Sequence, residues 1–85
     1  MIENKVLVSV NVPSLEQKFD MYIPVNRKVY SVIGMIENIL LELSLGSFEK
    51  DAYHVLYNGL TGQVYDMNLM IRDTDIRNGS NVILL

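Results

Sequence analysis

His54 is the only histidine in this chain of 85 residues, and the chain has no cysteine. Disulfides, thiolate nucleophiles and thiolate metal sites are therefore excluded. Catalysis by a lone histidine would need a nucleophile and an orienting group beside it, and no serine lies in a nucleophile-elbow context. His54 belongs to "AYHVLYNG", where Tyr53, Val55 and Tyr57 alternate against His54 and Leu56. That parity predicts a solvated strand histidine on the sheet face away from the core. Asp66, Asp73 and Asp75 raise the question of calcium. An EF-hand loop needs ligands at alternate positions, a central glycine and a terminal glutamate, and only the Asp73/Asp75 spacing fits. Asp73 is expected to cap a short helical turn and Asp75 to be solvated. "NGLTGQ" lacks the Gly-Lys-Ser/Thr of a phosphate loop, so it reads as a turn. The expectation is a protein that is not an enzyme and takes no metal and no cofactor.

Charge excludes another class. The formal net charge is −3, and the basic residues Lys5, Lys18, Arg27, Lys28, Lys50, Arg72 and Arg77 are scattered. No basic stripe exists, so nucleic acid is not the expected partner. "MIENKVLVSVNV" is not a signal peptide, because Glu3 precedes the apolar run and Ser9 and Asn11 interrupt it. The apolar stretch 29–45 carries Glu37, Asn38 and Glu42, which makes it too polar to insert in a bilayer. These features predict one cytoplasmic domain over residues 1–85.

Several elements would hold such a domain together. "KVLVSVNV" places Val6, Val8, Val10 and Val12 on one face and Leu7, Ser9 and Asn11 on the other. "KFDMYIPV" sets Phe19, Met21 and Ile23 opposite Asp20 and Tyr22, with Pro24 ending the ladder. A short break joins the two runs, which predicts an antiparallel hairpin. In "NRKVYSVIGMIENILLELSLG", Asn26 is placed to cap a helix. Val29, Val32, Ile33, Ile36, Ile39, Leu40 and Leu43 repeat as its buried stripe, with Glu37 at the stripe's edge. Gly46 is placed to close it. The strand in "AYHVLYNG", a short strand "QVYD", a helical turn anchored by Leu69 and Ile76, and a last strand "NVILL" complete the order. Met21 belongs to the core, while Met67 and Met70 cover its open end. The simplest packing is an α+β fold of β-grasp type. A mixed sheet of four to five strands would carry one main helix across one face.

"FDMYIPVNRKVYSVIGMIENIL" and "LMIRDTDIRNGSNVILL" resemble the ubiquitin-like fold across essentially the whole chain. More narrowly, the chain resembles the EsaB/YukD family of small ubiquitin-like proteins associated with type VII secretion in Gram-positive bacteria. The carrying features are the acid and hydrophobics before "IPVN", the "V..VI..I" helix start, and the ending marked by Asp73, Ile76, Gly79 and Val82. The resemblance implies a protein-binding module tied to a secretion apparatus. Conjugated relatives carry a flexible Gly-Gly tail, whereas Ile83, Leu84 and Leu85 read as strand. A conjugated tag is therefore not expected. The rivals are a generic ubiquitin-like adaptor of another bacterial pathway and a carrier whose Gly-Gly tail is missing from this chain.

The outer sheet face is the expected interface. Strand parity points Leu7, Leu56, Ile83 and Leu85 away from the helix, as one apolar patch that binds a protein partner and contributes little to folding. Self-association through this same face is a second use of it. Tyr30, Met35 and Leu41 lie outside the helix stripe and offer a second contact.

Overall fold

The computed structural model describes residues 4–50 and 53–85. Four strands form one mixed sheet in the order β2-β1-β4-β3. They are β1 (Lys5–Val12), β2 (Gln17–Pro24), β3 (Leu56–Asn58) and β4 (Asn81–Leu84). The helix α1 spans Val29–Leu43. β1 and β2 pair antiparallel from Lys5↔Pro24 to Val12↔Gln17. β4 runs parallel to β1 and antiparallel to β3. Ala52, where the third strand was expected to begin, and Glu3 lie outside the described residues.

The hairpin follows the alternation of its side chains. Val8, Val10, Val12, Met21 and Ile23 are buried, and Leu7, Tyr22, Lys18 and Asp20 are exposed. Pairing runs slightly past Pro24, because the Val25 amide donates to the Asn4 carbonyl at 2.8 Å. α1 presents Val29, Val32, Ile33, Ile36 and Leu40 to the sheet. Burying each such side chain stabilises the fold by about 1.5–3 kcal/mol. Ile39 and Leu43 belong to the expected stripe but are exposed. Ile39 sits on the stripe's flank and Leu43 in the last turn. Phe48, Ile71 and Ile76 complete the core from the loops.

Backbone partners satisfy both ends of the helix. Lys28, not Asn26, is the N-terminal boundary, and no side chain caps it. The free amides of Val29 and Tyr30 instead donate to the carbonyls of Leu69 and Met67, at 2.8 and 3.1 Å. A loop distant in sequence thus does the work of a cap. At the other end Gly46 donates to the Leu41 carbonyl and Leu45 to that of Glu42, the bond pair of a Schellman motif. Its left-handed residue, usually glycine, is Leu45, at φ 54° and 95% exposed. Left-handed backbone costs a non-glycine residue about 1–2 kcal/mol, and an exposed side chain offsets none of it. Leu45→Gly should therefore raise stability by about 1 kcal/mol in urea melts. Gly34 has nothing within 4 Å of where a Cβ would stand, so Gly34→Ala should add a similar amount through helix propensity alone.

The short strand expected at "QVYD" is reduced to one bridge, Val64 to Tyr57. The helical turn is a 3₁₀ turn at Ile71–Asp73, with Met70 at its N-terminal boundary, so Asp73 caps nothing. Ile71 anchors this turn together with Ile76, whereas Leu69 is exposed. The Thr74 hydroxyl donates to the Ile71 carbonyl at 2.6 Å, and the Ile76 amide donates back to that hydroxyl at 3.2 Å. No helix of the described residues is long and apolar enough to cross a membrane.

Candidate protein-binding surface

The register of β3 corrects the expected patch. Leu56 lies opposite Leu84, and both are buried beneath the helix. Leu56 is 0% exposed and belongs to the core. The parity of this strand is therefore the reverse of the expected one. Tyr57 pairs with Ile83, and Val55 exchanges two backbone hydrogen bonds with Leu85, at 2.7 and 3.0 Å. Side chains of paired residues share a face. Val55, Tyr57, Ile83 and Leu85 thus form one apolar cluster on the open side of β3 and β4. Leu85 is 55% exposed, and the other three are half-buried.

Leu7 faces the same side but does not join this cluster. The parallel register sets Asn11, not Leu7, beside Ile83. Leu7 lies four residues further along β1, roughly 13 Å away at strand spacing. It pairs with Tyr22 at the opposite end of the sheet. Between the two apolar groups lies a shallow depression of about 250 Å³ whose lining includes Ser9, Asn11, Lys18, Asn81 and Ile83. Its floor offers amides, a hydroxyl and one ammonium. Such a surface can hydrogen-bond a partner backbone while Tyr57, Ile83 and Leu85 bury apolar side chains.

Gly59 fixes the rim of this surface. A Cβ there would lie 2.8 Å from the Asn81 carbonyl oxygen, to which the Gly59 amide donates at 2.8 Å. Only glycine lets the two backbones approach so closely.

The second expected contact is divided as well. Tyr30 and Leu41 share one flank of α1, whereas Met35 lies about 140° away around the axis. Tyr30 is exposed beneath the Lys28 ammonium, which sits 5.9 Å from its ring centroid. Leu41 is half-buried. Met35 instead shares its flank with Ile39 and Leu43, all three exposed.

His54 is not a solvated strand residue. Its ring stacks on Phe48, with centroids 4.8 Å apart, and its Nδ1–H donates to Oε2 of Glu37 at 2.7 Å. The His54 side chain is only 10% exposed. The pair ties the segment before β3 to the middle of α1. His54→Ala should cost about 2 kcal/mol, from a charged hydrogen bond and an aromatic stack. A double-mutant cycle with Glu37→Ala should show coupling in urea melts. Additive losses would mean that the 2.7 Å contact contributes nothing.

The acids are likewise engaged. Asp75 accepts from the Tyr65 hydroxyl at 2.7 Å and from the Asn58 side-chain amide at 3.0 Å. Burial, then the bond to Asp75 and its charge, pushes the Tyr65 phenol above its ordinary pKa, so it remains a donor. Asp66 accepts from the Asn68 amide at 2.8 Å. Among the described residues no group of acids and histidine could hold a metal ion. Tyr57 and Val55 are the surface residues that strand parity misassigned. One signal was available: a tyrosine pointed into this core would have to find a partner for its hydroxyl.

Neither a family model nor a curated protein matches this sequence. Solved structures do match. The ubiquitin-like domain of the Mycobacterium tuberculosis type VII secretion system protein EccD1 superposes with a TM-score of 0.71 at 14% identity, covering 95% of this chain and 97% of that one. A chain of the MycP5-free ESX-5 inner membrane complex gives 0.70 at 15% identity, over 96% of this chain but 21% of its own length. The ubiquitin-like domain of Arabidopsis thaliana protein At2g32350 gives 0.66 at 19% identity, over 96% of this chain and 77% of that one. Topology, register and these likenesses agree that the chain has the ubiquitin-like β-grasp fold.

Proposed function

We propose that this chain is a non-enzymatic, non-conjugating protein-binding module of the EsaB/YukD type, working in the cytoplasm as an accessory or regulatory part of a type VII secretion system. The observation that carries the reading is the cluster of Val55, Tyr57, Ile83 and Leu85 on the uncovered face of the sheet. A few buried residues at the centre of an interface can each contribute more than about 1 kcal/mol of binding. The motif residues Asp73, Ile76, Gly79 and Val82, and the likeness to ubiquitin-like domains of type VII secretion proteins, support the secretion setting. A second reading is a generic ubiquitin-like adaptor in another bacterial pathway, because likenesses of 14–19% identity carry the fold and not a role.

Ile83→Lys tests the proposal. It places an unpaired ammonium at the centre of the cluster. The variant should keep its circular dichroism spectrum, because Ile83 is on the outer face. In a native host that carries the secretion system, export should fall to the level of a deletion strain. Normal export with a folded variant would remove the cluster as the interface. Loss of partner capture with normal export would favour the adaptor reading.

A further inference from the structure

β2 is an edge of the sheet, eight residues long. The direction of its main-chain groups follows from neighbouring bonds. The Val25 amide donates to Asn4, whereas Ser9 and Leu7 bond the segment that leads into β4: Ser9 N–H to the Ser80 carbonyl, and Gly79 N–H to the Leu7 carbonyl. Bonding alternates along an antiparallel strand. Val6, Val8, Val10 and Val12 therefore bond Ile23, Met21, Phe19 and Gln17. The N–H and C=O groups of Lys18, Asp20 and Tyr22 then point away from the sheet, with Pro24 adding a carbonyl only. Among the described residues, none of these groups takes part in a backbone hydrogen bond outside the ladder. Open edges of this kind template the pairing of another strand.

We infer that β2 pairs antiparallel with β2 of a second copy of this chain, about a two-fold axis through Phe19. Free residues must face free residues, and charge selects among the registers that allow it. Centred on Asp20, the pairing sets Asp20 against the partner's Asp20. Centred on Lys18, it opposes two ammonium groups. Centred on Met21, it faces Asp20 with the partner's Tyr22 and matches no charge. Centred on Phe19, it sets Lys18 against the partner's Asp20 and Asp20 against the partner's Lys18. One cation and one anion placed symmetrically about Phe19 give the self-complementarity that a two-fold contact requires. Both are exposed and free of side-chain partners among the described residues. Phe19, half-buried on the helix side, meets its counterpart at the axis. Leu43 shares a depression with Leu15 and Gln17, so the apolar flank of α1 borders this edge. The contact leaves Tyr57, Ile83 and Leu85 free, and it stands independently of the secretion proposal.

Sedimentation velocity from micromolar to near-millimolar concentration tests it, with circular dichroism as the folding control. The expected result is a monomer–dimer equilibrium. Asp20→Lys and Lys18→Asp should each weaken it about tenfold, the effect of roughly 1.4 kcal/mol, because each opposes like charges. Mixing the two variants, or combining them in one chain, should restore it. A monomer at every concentration would overturn the proposal. So would a dimer that is indifferent to these changes, including one abolished by Ile83→Lys instead.

Discussion

Leu56→Asp should leave no folded protein at room temperature. Leu56 has no exposed surface and packs in the layer of Leu84 beneath α1. The substitution removes a full leucine from the core, about 2–5 kcal/mol by the truncation rule. It also buries a carboxylate for which the core holds no polar partner, several kcal/mol more. Small domains have only about 5–15 kcal/mol in all. Tyr57→Asp, one residue along and on the other face, should melt cooperatively with a loss of about 1 kcal/mol or less. Circular dichroism with urea titration separates the two. A cooperative, near-native melt for Leu56→Asp would show that the strand has the opposite phase.

The second large effect belongs to the helix. Ile36 is fully buried at the centre of the α1 stripe, and Ile36→Ala should cost about 2–5 kcal/mol, depending on how far the cavity collapses. Its neighbour Glu37 would cost well under 1 kcal/mol if it were simply at the edge of the stripe. The 2.7 Å bond to His54 raises the expected loss for Glu37→Ala to about 1–2 kcal/mol. The order of the urea midpoints, wild type above Glu37→Ala above Ile36→Ala, checks both assignments. Equal losses would contradict the helix phase.

The parts of this fold that could be read from sequence are those decided locally. The valines of β1 alternate against Lys5, Leu7, Ser9 and Asn11, a mostly polar set, so the valine face is the core, and the β1–β2 hairpin follows. Five residues of the helix stripe are buried because their spacing is helical whatever lies opposite. β3 differs. Tyr53, Val55 and Tyr57 on one parity compete with Leu56 on the other, and alternation does not say which set faces inward. The register against Leu84 decides it, from a strand distant in the chain. The same holds for Leu7. Its separation from Ile83 is set by the parallel offset of β1 and β4, which no local pattern encodes. Asn26 is a sound cap by type, yet carbonyls of Leu69 and Met67 take its place. His54 reads as solvated because its partners, Glu37 and Phe48, come from other segments, whereas Asp75 is exposed as expected and hydrogen-bonds Tyr65 and Asn58 at the surface.

Under the proposed function, the open face of β3 and β4 meets a protein of the secretion machinery. Photo-crosslinking in the native host tests it most directly, with a benzophenone side chain placed in turn at Tyr57, Ile83, Tyr30 and Ile39. Positions 57 and 83 should yield the same adduct, containing a component of the secretion apparatus, and positions 30 and 39 should not. An adduct formed only from the helix positions, with none from 57 or 83, would contradict that interface.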